Sequence, residues 1–321
     1  MDTTRMLELC RRDQWQLEDL DWSLKPRILA RGDEIAVCQY FTDMSGIELL
    51  AGALFEVQRD NARDETLRAI FATFVVDEER HSRVALRLAR HYDVHQYQRY
   101  TLNPHLCSFR RHFVDAVKNV SPDVANAYIT TGELMLDIAL LRSLDEFVDD
   151  EMSHRAMRLI NRDESRHIAV DYHMAEYYSS AEYDRWVATR PKKSLREQAR
   201  GAIAMVGFIS HAQPFFRDVF FRPMELVDPK GERMFEAFKR VQLLGRKNGT
   251  GPKRPFTRFL RSLQILFENR LTQPLLGPVI QRVLGVDPRV IRTLFTRDEL
   301  ARTHRMSFDA MAEEALAAKA S

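Results

Sequence analysis

The sequence has few of the residues that break helices or cross-link loops. Its 321 residues include 12 glycines, 12 prolines and three cysteines. Scarce Gly and Pro, with little Val/Ile/Thr alternation, argue against a β-rich chain and predict an all-α fold. Cys10, Cys38 and Cys107 are odd in number and widely spaced, which excludes a disulfide framework and predicts reduced thiols in a cytoplasmic protein. No apolar run follows Met1-Asp2-Thr3-Thr4-Arg5, so no secretory signal is expected. The longest apolar run, Ala202 to Ser210, is too short to cross a bilayer. The chain also lacks a Gly-x-Gly-x-x-Gly fingerprint and a cysteine cluster, so it has no built-in flavin, nicotinamide or iron–sulfur site.

What is present is charge, unevenly spread. A hydrophobic fraction of 45% and a charged fraction of 29% match a soluble globular protein. Net charge is +2, but residues 1–200 carry 28 Lys/Arg against 34 Asp/Glu, net −6, and residues 201–321 carry 20 against 12, net +8. The basic C-terminal part therefore suits an acidic carrier protein or a membrane surface, and nucleic acid is not expected. Residues 246–255 read as a basic loop. Phe256 to Leu271 interleaves Arg258, Arg261 and Arg270 with Phe259, Leu260, Leu263, Ile265, Leu266 and Phe267, as in a basic amphipathic helix. Such a stripe more often packs on a core.

Two short stretches carry the chemistry. Asp77-Glu78-Glu79-Arg80-His81 and Asp163-Glu164-Ser165-Arg166-His167 both read D-E-x-R-H. Residues three apart on a helix share a face, so each Glu–His pair offers a carboxylate oxygen and an imidazole nitrogen to one metal ion. One such pair is weak evidence, because helices are rich in Glu. Two copies 86 residues apart, each preceded by a lone Glu at a similar distance, are specific. Glu48 lies 30 positions before Glu78, and Glu133 lies 31 before Glu164. Polar breaks at residues 59–64 and 149–153 sit midway, so each Glu pair lies at equal depth in an antiparallel helix hairpin. Glu56 lies too close to its turn to reach that depth.

The reading along the chain is an N-terminal arm over 1–30, a helical bundle over 31–180 and a helical extension over 181–321 packed on it. Trp15 and Trp22 lie on the arm and are expected to pack on the bundle. The bundle helices are predicted from Asp33 to Arg59, Asp64 to His91, Pro122 to Val148 and Ser153 to Tyr178. Asp64 or Asn61 caps the second, and Ser121 with Pro122 starts the third. A shorter helix spans Leu106 to Val120. Beyond them come a helix from Ser194 to Val219, kinked at Pro214, and a terminal helix over 297–321. Gly46, Ala51, Gly52 and Ala53, near Glu48, leave room for a small ligand or permit close helix packing.

Glu48, Glu78, His81, Glu133, Glu164 and His167 resemble the ligand set of ferritin-like di-iron carboxylate oxidases: one Glu from each of two helices and Glu-x-x-His from each of two others. The D-E-x-R-H form is similar to the hydroxylase subunits of multicomponent monooxygenases, to acyl-carrier-protein desaturases and to arylamine N-oxygenases. The resemblance covers about residues 30–180. It implies a ferritin-like four-helix bundle with additional N- and C-terminal helices. It also implies two iron ions, with manganese as a variant, and dioxygen as co-substrate. Asp77 and Asp163 would accept the second N–H of the ligand histidines, with Arg80 and Arg166 paired to them. The implied activity is hydroxylation, N-oxygenation or desaturation of an apolar or carrier-bound small molecule or acyl group. Electrons would come from an external reductase or ferredoxin, and a homodimer is among the expected partners.

Departures keep the subfamily open. Ala85 stands where ribonucleotide reductase radical subunits have Tyr, and Ile160 where N-oxygenases have an extra His. Asp137 and Leu136 stand where hydroxylases and desaturases have Thr. Asp137, one turn from Glu133, is the candidate proton donor or extra carboxylate, with Thr130 and Thr131 the nearest hydroxyls. A ferroxidase or peroxide-consuming protein, and a helical partner-binding protein with a vestigial metal site, are the alternatives.

Overall fold

A computed structural model describes residues 1–119, 121–191, 193–247, 255–284 and 288–320. The described residues are helices and connections, with no strand among them. Four long rods form the centre: α2 (Arg31–Asp60), α3 (Glu65–Tyr92), α7 (Glu151–Tyr178), and a composite rod of α5 (Pro122–Leu134), a π-helical segment (Met135–Leu141) and α6 (Arg142–Val148). Helix α1 (Thr3–Arg12) and α4 (Pro104–Val117) flank them.

Local chemistry sets the turns. Asp64 caps α3 by accepting from the Leu67 N–H at 2.8 Å, so Asp64 rather than Asn61 is the cap. Asp149 ends α6 in the left-handed region, with φ 51°, and Asp150 then caps α7 through the Ser153 N–H at 2.8 Å. Ser121 precedes α5, but its side chain makes no capping bond; Pro122 at the first turn pre-sets the helix instead. Tyr92 O–H donates to Asp150 Oδ1 at 2.7 Å and ties the end of α3 to the start of α7. Gln58 Nε2 donates to the Pro122 carbonyl at 2.9 Å, joining the end of α2 to the start of α5.

The long rods bury a continuous apolar core containing Phe41, Phe55, Phe71, Phe74, Leu67 and Ile70, all fully buried. Each such side chain contributes about 1.5–3 kcal/mol of transfer free energy. A Cβ on Gly46 would meet Leu106 Cδ2 at 2.8 Å, and one on Gly52 would meet Glu78 Cβ at 3.4 Å. Gly46 therefore serves close helix approach, whereas a Cβ at Gly52 would make only ordinary contact.

The remaining helices are α8 (Ala181–Thr189), α9 (Leu195–Phe215), a π segment (Phe216–Phe221), α10 (Arg222–Val227), α11 (Glu232–Arg246), α12 (Pro255–Glu268), α13 (Gln273–Leu284), α14 (Pro288–Ile291), α15 (Arg297–Arg305) and α16 (Phe308–Ala320). Pro214 sits inside α9, and helical structure continues past the expected end at Val219 to Val227 through the π segment. The terminal helix is two helices, because Met306 is extended and Ser307 opens α16. Helix α9 packs on α4, α11 on the composite rod, and α16 on α7. Of the expected basic loop, residues 248–254 lie outside the described residues, as do the side chains of Phe259, Leu260 and Leu263 in the amphipathic stripe. Of the three thiols, Cys10 and Cys38 are buried and Cys107 is exposed, and all are free.

One rod, Pro122–Val148, is long and apolar enough by composition to cross a membrane, but 72% of its apolar window is buried inside the protein. It is a core helix. Replacing Phe71, which packs on Phe55 and Phe74, is expected to cost about 3–5 kcal/mol as Phe71→Ala, read from the urea unfolding midpoint.

Candidate metal centre

Helix α2 supplies Glu48, α3 Glu78 and His81, α5 Glu133, and α7 Glu164 and His167. None of the six is more than 1% exposed, so the expected residues meet in one interior cluster. Helices α3 and α7 run antiparallel there, with position 78 facing 167 and position 81 facing 164.

Two overlapping groups could each hold a metal ion. One is Glu48, Glu78, His81 and Glu164; the other is Glu78, Glu133, Glu164 and His167, with ligand atoms within 4.8 Å of one another in each. The motif glutamates thus belong to both groups, whereas the spacing had assigned each Glu–His pair to one ion. His81 Nδ1 lies 3.1 Å from Glu164 Oε1 and 3.9 Å from Glu78 Oε2. His167 Nδ1 lies 3.2 Å from Glu78 Oε1, 3.0 Å from Glu164 Oε2 and 3.8 Å from Glu133 Oε2.

Because Nδ1 of each ring faces the carboxylates, Nε2 faces outward, and there the aspartates wait. His81 Nε2 is 3.0 Å from Asp163 Oδ2, and His167 Nε2 is 3.4 Å from Asp77 Oδ2. Each Asp serves the histidine of the other motif. Arg80 Nη2 donates to Asp77 Oδ1, and to Asp163 Oδ2 at 2.8 Å. Arg166 Nη2 donates to Asp163 Oδ1 and lies 3.9 Å from Asp77 Oδ2. The two aspartates and two arginines offset each other in charge, so they orient the rings without adding net charge to the interior.

The sequence did not reveal three features. Trp15, expected only to pack, donates its indole N–H to Asp163 Oδ2 at 2.7 Å, and Gln14 Nε2 donates to Asp77 Oδ1 at 3.0 Å. The π segment begins two residues after Glu133; no composition signal announces it, although such bulges recur at functional sites. Asp171, one turn beyond His167, is fully buried. The Asp-to-Glu spacing of seven between Asp171 and Glu164 could have flagged it as sharing the ligand face. Trp22 donates to the Leu17 carbonyl at 2.8 Å and remains a packing residue.

Asp137 is buried on the π segment and belongs to neither ligand group. Thr130 and Thr131 donate to the carbonyls of Asn126 and Ala127, each at 2.7 Å, so their hydroxyl protons serve their own helix. On the His167 side the wall is aromatic: the Phe74 and Phe55 rings lie 4.2 and 4.9 Å from the imidazole.

Burial, then the neighbouring carboxylate Glu78, raises Glu48 well above the carboxylate range, and burial and Glu164 do the same to Glu133; burial and Glu164 also raise Glu78, against the two histidines. Glu164 goes the other way: burial opposes ionisation, but His167 and the other donors around it hold its carboxyl well below the usual range. Burial lowers the basicity of both histidines, yet Asp163 and Glu164 raise His81 well above its ordinary value, and Glu164 and Asp77 raise His167. Burial, with Glu164 and Glu78 nearby, also pushes Asp171 well up and favours its neutral acid.

Whether these residues fit metal ions can be tested on their unmet valences. Both oxygens of Glu48, both of Glu78 and one of Glu133 are buried without a hydrogen-bond donor. Leaving such carboxylates ionised and unmatched costs several kcal/mol each, roughly. Four glutamates carry a charge of −4 when ionised, which two divalent cations neutralise. Hard oxygen donors with two imidazoles suit iron or manganese. The residues fit a two-metal group.

Metal ligands must be deprotonated, whereas Glu48, Glu78, Glu133, His81 and His167 all hold protons more tightly than usual without metal. Binding therefore releases protons, and divalent-metal affinity is expected to rise with pH above the ordinary carboxylate range. Titration calorimetry in buffers of different ionisation enthalpy checks both; pH-independent affinity with no proton release would contradict it. No family model matches this chain, and no curated protein matches it.

Proposed function

We propose that the chain is a di-metal, dioxygen-dependent oxidoreductase built on a ferritin-like bundle. The observation that carries this reading is the pair of overlapping ligand groups sharing Glu78 and Glu164. Glu48 and His81 complete one group, and Glu133 and His167 the other. Two bound iron ions would supply the site for dioxygen and the electrons that reduce it, so that the oxygen can oxidise an organic substrate.

The protein's own residues have separable tasks. Asp163 and Asp77 accept from Nε2 of His81 and His167, which leaves each Nδ1 lone pair directed at the ligand cluster. Arg80 donates to both aspartates and holds them in place, and Trp15 fixes Asp163 from the outside. Phe55 and Phe74 keep water from the His167 side and so strengthen every charge interaction inside. Burial favours the neutral acid of Asp171, one turn beyond His167, which makes it a candidate proton donor alongside Asp137. Electrons must come from a separate reductase or ferredoxin, because the chain carries no cofactor fingerprint for one. Hydroxylation, N-oxygenation and desaturation of an apolar or carrier-bound substrate all use this donor set.

Loading with ferrous iron without oxygen is expected to give two irons per chain by elemental analysis. Glu164→Ala should lose both, and Glu133→Ala should retain one; equal retention in the two variants would sink the shared-ligand assignment. On mixing with oxygen, an absorbance that decays faster with an organic additive supports the oxidase, and iron released as mineral points to iron storage instead.

Asp171→Asn preserves shape while removing the proton. It is expected to keep two irons and slow single-turnover oxygen consumption about a hundredfold, the lower end of general acid catalysis. Unchanged single-turnover kinetics would remove Asp171 from the mechanism.

A further inference from the structure

Helix α9 is apolar on two opposite faces. Ala204, Phe208, Ala212 and Phe215 are buried, with Phe208 and Phe215 set 5.3 and 4.1 Å from the Phe109 ring of α4. Around the other side, Leu195, Ile203, Val206 and Ile209 are 84, 74, 68 and 42% exposed. At 100° per residue these four fall within one sector, opposite the buried one. A helix apolar all round is expected to be covered on every side, and this one is covered on one.

The helices packed beside it also carry exposed apolar side chains. Helix α13 packs on both α9 and α12. Leu271, Leu275 and Val279, spaced by four, are 82, 76 and 56% exposed, and Ile265 on α12 is 53% exposed. Of the 17 large apolar side chains exposed among the described residues, ten lie on α9, α12, α13 and the α12–α13 turn. That concentration separates this surface from the scattered exposed leucines and valines elsewhere.

The rim is of one sign. Arg196, Arg200, Arg258, Arg261, Arg270 and Arg282 are all exposed. The acids on the same three helices are Glu197 and Glu268, and both are occupied: Glu197 caps α9 through Ser194, and Glu268 accepts the Thr293 N–H. Two copies meeting through this face would set arginine rims against each other. An acidic lipid surface satisfies both properties at once, since its headgroups attract the arginines and its acyl boundary takes the apolar side chains.

We propose that the α9–α12–α13 face docks on an anionic lipid bilayer, with Ile203, Val206, Leu275 and Val279 entering the interface and the arginines contacting headgroups. The inference does not depend on the metal centre. It extends the basic C-terminal half from a charge count to a defined surface.

The test is flotation of the full-length chain with vesicles of phosphatidylcholine alone or mixed with phosphatidylserine. Binding is expected to the mixed vesicles, to weaken with added salt and to be lower on pure phosphatidylcholine. Val206→Glu with Leu275→Glu should lower partitioning at least about tenfold, since each places a charge where acyl chains would lie. Arg261→Ser with Arg270→Ser should reduce the preference for phosphatidylserine and leave the weak neutral binding. Helical circular dichroism serves as the folding control, and both side chains of the first pair are exposed. Absence of binding to the mixed vesicles overturns the proposal. So does binding that survives Val206→Glu/Leu275→Glu in folded protein. A dimer by light scattering that this double variant dissociates would assign the face to a second copy of the chain.

Discussion

Four glutamates and two histidines buried together are the constraint to which the rest of the bundle answers. Charges at 3–4 Å in a dry interior interact far more strongly than in water, so the cluster cannot be left to chance. The apolar walls that stabilise the fold, Phe55 and Phe74 among them, are also what make those charges strong. Stability of the shell and tension in the centre thus come from the same side chains. In the metal-free chain the tension is relieved by protons: Glu48 and Glu133 are pushed toward their acids, and the two histidines toward their cations.

Around that centre the protein builds a neutral frame. Asp77, Asp163, Arg80 and Arg166 cancel in charge and are all nearly or fully buried. Their arrangement is reciprocal, because the Asp of one motif serves the His of the other. Neither D-E-x-R-H stretch is complete alone, so loss of α3–α7 packing would disorder both halves of the site. Trp15 and Gln14 extend the frame to the N-terminal arm, which makes that arm part of the centre although it supplies no ligand.

Outside the bundle the C-terminal helices follow another logic. Helix α9 uses one apolar face to close over α4 and leaves the other facing outward beside a basic rim.

The periodicity of apolar residues and the scarcity of Gly and Pro were enough to read the all-helical class and the four long helices. Spacing alone brought out the six cluster residues, because equal distance from a polar turn means equal depth in a hairpin. Those are local regularities, repeated at intervals a helix enforces. Which aspartate meets which histidine, the sharing of Glu78 and Glu164 between two groups, and the bond from Trp15 to Asp163 were not legible. Each depends on how α3 faces α7 or on where the arm crosses them. That Thr130 and Thr131 spend their hydroxyl protons on carbonyls of their own helix was equally hidden, whereas the spacing of Asp171 from Glu164 marked its face. A π turn after Glu133 breaks the period on which sequence reading relies. Rise and periodicity along a helix are written in the chain; rotation and contact between helices come only from the assembled core.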